Sequence, residues 1–307
     1  MIAITEGEIA FDVPKSGKAC KTWYKVYGDL SDTSRTPTVI LHGGPGVPHW
    51  YVEPMAEIAE RYGLPVVIYD QLGCGLSTHL PEKNGDTDFW TVELFIDELH
   101  NLLNFFGIHD NYNVLGHSWG GMLAASFAVR KPKGLKKLIL SSAPASMPVM
   151  IEICNELRKT LPQDIQDTLD KHEAAGTTDS PEYKAACDEF DARFGCRLQP
   201  TPELLVRALK SMEDDPTVYH TMNGPSEFHV IGSLKNWSVI DEIHNIEVPT
   251  LLLNGRYDEV QDKAMDPFFL KIKQVRWLQF SNSAHLAQLE ETDRYLEVIS
   301  RFLQTEV

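Results

Sequence analysis

Tyr112-Asn-Val-Leu-Gly116-His117-Ser118-Trp119-Gly120-Gly121-Met122-Leu-Ala-Ala-Ser-Phe-Ala128 is the stretch whose reading decides the fold. A short apolar run enters a Gly-x-Ser-x-Gly turn, and an Ala-rich helical pattern leaves it. Strand, tight turn and helix in that order are the context of a nucleophile elbow, which lifts a serine hydroxyl above the edge of a sheet. Glycines two residues to either side let strand and helix approach without Cβ clashes. The positive end of the following helix lies beside the hydroxyl. Five-residue matches also arise by chance, so the reading depends on the flanking elements and on chemical partners elsewhere in the chain.

Outward from the elbow, apolar runs of strand length recur, each ending in a polar or glycine-rich loop. Thr38–Leu41 runs into His42-Gly43-Gly44-Pro45-Gly46, and Val66–Tyr69 into Asp70-Gln-Leu-Gly-Cys-Gly-Leu-Ser77. Leu138–Leu140 and Thr250–Asn254 follow the same rule, and Val275–Phe280 reads as the last strand. Continuous rather than alternating apolarity marks strands buried on both faces. Glu6–Val13 and Ala19–Tyr27 read as a hairpin across Pro14–Gly17. Helical spacing appears over Met55–Tyr62, over Trp90–Phe106 (stopped by Gly107) and over Asp293–Phe302. Alternating strands and helices predict a mostly parallel central sheet flanked by helices, with the active site at the strands' C-terminal ends. From Pro144 to Trp237 that rhythm breaks into four helix-like stretches: Val149–Thr160, Asp164–Ala175, Pro181–Phe194 and Pro202–Met212. The expected organisation is a core of residues 1–143 and 238–307 with an inserted all-helical cap, 144–237.

The chain's 307 residues, 43% hydrophobic and 23% charged, suit an ordinary globular α/β protein. A formal net charge of −16 disfavours nucleic acid and anionic membranes as partners and suits a cationic substrate. Five cysteines without a C-x-x-C pair argue for reduced thiols rather than a disulfide frame or zinc site. The acidic N-terminus lacks a signal-peptide pattern, so a cytoplasmic location is expected.

A serine nucleophile needs a base, and the base needs an acid to hold its tautomer. Of eleven histidines, only His285 lies just past the last strand, giving the order Ser…Asp…His. Asp258, at the end of the preceding strand, is the best-placed acid, with Asp241 and Asp262 as competitors. For the oxyanion, one backbone N–H should come from Trp119, the residue after the nucleophile. The second should come from the His42–Gly46 loop, with Gly44 first and Gly43 next. That loop lacks the lysine of a phosphate-binding loop.

Taken together, His42-Gly-Gly-Pro-Gly46, Asp70–Ser77 and Gly116-His-Ser-Trp-Gly-Gly121 resemble the proline iminopeptidase family of α/β-hydrolases, from the third strand to the final helix. Val218-Tyr-His-Thr-Met-Asn-Gly-Pro-Ser-Glu227-Phe and Gly255-Arg-Tyr-Asp-Glu-Val260 are similar to its tricorn-interacting aminopeptidase and amino-acid amidase branch, with Ser226 standing where that branch has Asn. The resemblance implies Asp258 as the acid and Glu227 and Glu259 as partners of a substrate's free amino group. The expected activity is release of an N-terminal proline or small apolar residue from short peptides or amino-acid amides, through an acyl-enzyme and without metal or cofactor. Activity should fall at low pH as His285 is protonated, and at high pH as the substrate amine loses its charge. A small-molecule esterase or lactonase, or a hydrolase-derived ligand sensor, remain alternative readings. Tyr219 and Trp237, with Trp50, Phe190, Phe194 and Phe228, are candidates for the first-residue pocket.

Overall fold

The computed structural model describes residues 2–305. The chain begins with β1 (Ile4–Phe11) and β2 (Cys20–Tyr27), an antiparallel hairpin whose register pairs Phe11 with Cys20. There follow β3 (Thr38–Leu41), α1 (Glu57–Tyr62), β4 (Val66–Tyr69), α2 (Val92–Phe105), β5 (Tyr112–His117), α3 (Trp119–Ala128) and β6 (Leu135–Ser141). Five helices come next: α4 (Met147–Arg158), α5 (Gln163–Ala175), α6 (Pro181–Phe194), α7 (Glu203–Asp214) and α8 (Thr217–Met222). The chain returns to the sheet with β7 (Thr250–Gly255), α9 (Asp262–Lys271) and β8 (Val275–Phe280), then ends in α10 (Ala287–Glu290) and α11 (Thr292–Gln304).

The eight strands form one sheet in the order β1-β2-β4-β3-β5-β6-β7-β8. β2 meets β4 antiparallel, and every pairing from β4 to β8 is parallel. β3, β4, β5 and β7 are buried along their whole length, which is why their sequences show no alternation. Apolar clusters cover both faces, one built on α2 and α3, the other on α1 and α11. Thr91 caps α2 by accepting from the Leu94 N–H, and Gly107 beyond its end takes a φ of 65°.

The helical stretch between β6 and β7 leaves and rejoins the sheet at one point. Ser146 and Ser238 form an antiparallel bridge, the Met147 N–H donates to Trp237 O (2.8 Å), and the Val239 N–H donates to Ala145 O (3.0 Å). Four of its helices match the sequence pattern to within a turn. α8 was not expected, nor was α9 between the last two strands. Among the described residues, no helix is long and apolar enough to cross a membrane.

Candidate active site

Ser118 sits between β5 and α3 with φ 56° and ψ −123°, a conformation the surrounding packing imposes. A Cβ on Gly116 would lie 2.1 Å from Gly120 O, and one on Gly120 would lie 2.2 Å from Leu41 O. Strand, turn and helix therefore touch through bare backbone, and only glycine fits. The Ser118 N–H donates to Ser141 O of the neighbouring strand (2.9 Å), which fixes the turn to the sheet.

The loop after β7 carries Asp258, fully buried. Its Oδ1 accepts from His285 Nδ1 (2.8 Å) and from the Val260 N–H (2.8 Å). Asp241 is exposed, and Asp262 accepts from the side-chain amides of Asn254 and Gln279, so neither competing acid is directed at the imidazole. His285 lies in the loop after β8. Its backbone N–H donates to Phe194 O (3.2 Å), at the end of α6, and to Gly195 O (3.0 Å), just past it.

A buried hydrogen-bond chain runs beneath the elbow. The Gly43 N–H donates to Tyr51 Oη (2.6 Å), the Tyr51 hydroxyl donates to His117 Nδ1 (3.1 Å), and His117 Nε2–H donates to His285 O (2.9 Å). Burial holds the His117 imidazole well below its ordinary pKa, so it is neutral, and its carbonyl partner assigns the proton to Nε2. His117 braces the loop of His285 rather than acting on a substrate. The same chain occupies the Gly43 N–H. The N–H groups of Gly44 and Trp119 are taken up by no acceptor among the described residues, and both residues border the cavity at Ser118.

That cavity is also lined by Glu227, Glu259, Asn223 and an apolar wall that includes Met122, Met147 and Met150. It measures about 20 Å³. Glu227, in the loop after α8, accepts from the Tyr219 hydroxyl (2.7 Å) and Asn223 Nδ2 (3.3 Å). Glu259 is only 5% exposed, and its carboxylate receives no hydrogen bond among the described residues. The nearest cationic group is His285 Nε2, 3.8 Å from Oε1. Burial and the neighbouring acids push its carboxyl well above the usual range, with His285 pulling the other way. Burial also raises Glu227, against the pull of the Tyr219 hydrogen bond and His285. Around His285, burial opposes the charged ring, yet Asp258, Glu259 and Glu227 outweigh it and raise the imidazole to about 9.

With this geometry in view, the likeness to known proteins has a structural content. The model of the α/β-hydrolase fold family matches residues 36–292. A proline iminopeptidase of Saccharolobus solfataricus is 37% identical over 281 residues, 92% of this chain and 88% of that one. The chain belongs to the proline iminopeptidase family. Among solved structures, a proline iminopeptidase of Mycobacterium smegmatis is 42% identical with a TM-score of 0.86, and 97% of each chain is covered. VinJ is 47% identical with a TM-score of 0.92, covering 98% of this chain and 99% of its own. As a member of this family, the chain is a serine hydrolase of the aminopeptidase type.

Not every residue expected at the site is found there. The Trp237 indole donates to Ser126 Oγ (3.2 Å) on α3 and does not line the cavity. Trp50 lies under the Arg207 guanidinium, at a separate cleft with His79 and α7. Phe190, Phe194 and Phe228 pack on one another, and Tyr219 contributes through its bond to Glu227. The methionines were missed because helical spacing does not distinguish a cavity wall from core. Tyr51 was missed because nothing in its local sequence marks it. Ser226, where the branch has Asn, bonds to the Tyr183 hydroxyl (3.0 Å) and accepts from the His229 N–H (3.2 Å), tying down the loop of Glu227. His42, Asp70 and Cys74 also cluster. However, His42 Nε2 accepts from the Gln71 N–H (2.9 Å) and Asp70 Oδ1 accepts from His49 (2.8 and 2.9 Å), so these groups hold loops together.

Proposed function

We propose that this chain releases an N-terminal proline or small apolar residue from a short peptide or amino-acid amide, with Ser118, His285 and Asp258 as the catalytic residues. Ser118 Oγ attacks the carbonyl of the first residue and passes its proton to His285 Nε2. Asp258 holds the ring and balances the imidazolium. The oxyanion rests on the N–H groups of Gly44 and Trp119, where one such donor is worth about 3 kcal/mol. His285 then protonates the leaving amine, and water releases the acyl-enzyme.

The observation that carries this reading is Glu259: a buried carboxylate without a donor, in the same cavity as Ser118 and Glu227. Hydrogen bonds to charged groups contribute about 1.5–3 kcal/mol each, and an unpaired buried charge is costly. A substrate ammonium supplies the missing partner and sets the scissile carbonyl one residue away. Residues 144–237 act as a cap on the core of residues 1–143 and 238–307.

A panel of fluorogenic aminoacyl amides, each free and N-acetylated, with simple aryl esters beside them, tests the reading. Prolyl and alanyl amides should be cleaved, acetylation should reduce kcat/KM at least about a hundredfold (roughly 2.7 kcal/mol), and Ser118→Ala should abolish turnover. Indifference to acetylation, with good ester turnover, would assign the chain to the esterases instead.

A further inference from the structure

Acids face the His285 imidazole from several elements. Asp258 and Glu259 come from the loop after β7, Glu227 from the loop after α8, and Asp191 from the last turn of α6. The His117 ring of β5, at 4.7 Å between centroids, is neutral. The carbonyls of Phe194 and Gly195 point at the same loop. Among the described residues, no lysine or arginine forms an ion pair with any of these four acids. Among the described residues, His285 is the cationic partner of two of them, with Nδ1 2.8 Å from Asp258 and Nε2 3.8 Å from Glu259.

Nε2 therefore faces two incompatible demands. As a base toward Ser118 it must be unprotonated, yet Glu259, buried and receiving no hydrogen bond among the described residues, favours a proton on that same nitrogen. We propose that the substrate's ammonium and the Nε2 proton of His285 compete for the carboxylates of Glu259 and Glu227, so that an arriving free amine discharges the imidazole and switches the base on. The proposal rests on Glu227 and Glu259 being the amine partners and adds a second role to Glu259. The charge balance is simple: one cation enters the acidic cluster, and one proton leaves Nε2 for solvent before any bond in the substrate changes. Ser118 then gives its own proton to the vacated nitrogen.

The direction of the imidazole's shift agrees: burial lowers it, yet Asp258, Glu259 and Glu227 together raise it to about 9, which favours the charged ring in the free protein. An N-blocked substrate is thus rejected twice. It lacks the ion pairs, and it meets a base that is already protonated, so the discrimination appears in kcat as well as in KM.

Prolinamide and its uncharged isostere cyclopentanecarboxamide, titrated into Ser118→Ala by calorimetry at pH 7.0 in two buffers of different ionisation enthalpy, test the idea. Prolinamide should release close to one proton per molecule bound and the isostere none, while the His285 ring signals in NMR move from imidazolium to neutral imidazole. Tight prolinamide binding without proton release, or a His285 already neutral in the free protein, overturns the switch and leaves the amine site standing. Equal binding of both compounds removes both. Glu259→Gln in the otherwise wild-type enzyme adds a crossed signature. Hydrolysis of an uncharged aryl ester at pH 7.0 should rise several-fold while hydrolysis of prolyl amide falls at least tenfold, and loss of both together contradicts the switch.

Discussion

Tyr51 determines which glycine of the His42–Gly46 loop is free to face an oxyanion, because its hydroxyl takes the Gly43 N–H and passes the connection on to His117. Replacing it with Phe keeps the ring and strands two buried polar groups, each costing about 1–3 kcal/mol. Tyr51→Phe should therefore lower stability by a few kcal/mol in urea titration. It should also lower kcat about tenfold or more while KM for a free aminoacyl amide stays within about twofold, since the amine partners are untouched. A change in KM alone would mean that the hydrogen-bond chain serves binding rather than the reaction. At this scale the elbow was legible because its glycines are dictated by backbone contacts of 2.1–2.2 Å that no side chain survives. Asp258 was legible because it follows a buried strand. The sequence puts Gly44 ahead of Gly43, but the reason, a hydroxyl eight residues along that takes the Gly43 N–H, was not legible there.

Among the elements, α6 and the loop after α8 do most to connect the inserted helices to the chemistry. The carbonyl of Phe194, at the end of α6, receives the backbone N–H groups of both Glu259 and His285. Tyr183 on α6 links Ser226, beside Glu227, to Glu173 on α5, which is paired with the buried Arg158 of α4. Tyr183→Phe should loosen the Glu227 loop and raise KM for free-amine substrates several-fold with kcat nearly unchanged, while leaving uncharged esters unaffected. Equal losses on both substrate classes in steady-state assays would indicate general unfolding of the cap. β3, β4 and β7 were readable as elements because burial on both faces makes them nearly uninterrupted apolar runs. α8 was not, being six residues between Pro216 and Gly224, and α9 carries Pro267 inside it, a residue that sequence reasoning takes as a helix stop. Met147 and Met150 fall in the first turns of α4, where a cavity wall and a core face have the same period.

Across the whole molecule, parallel strands bring residues far apart in sequence to one edge of one sheet. Gly44 follows β3, Ser118 follows β5, Asp258 and Glu259 follow β7, and His285 follows β8, while Glu227 approaches from the inserted helices. Strand order and polarity thus bring a serine hydroxyl, an imidazole paired with a buried carboxylate, free backbone N–H groups and two further carboxylates to one end of the sheet, and each alone is an ordinary residue. The net charge of −16 favours the approach of a cationic substrate. The central claim is that this convergence makes Ser118 the residue acylated by an amino acid bearing a free amine. Rapid acid quench during turnover of a prolyl or alanyl ester, followed by peptide mass mapping, tests it most directly. The mechanism predicts the aminoacyl mass on the peptide carrying Ser118, and none when the same ester is N-acetylated. An adduct on another residue, or equal labelling by the blocked ester, would contradict it.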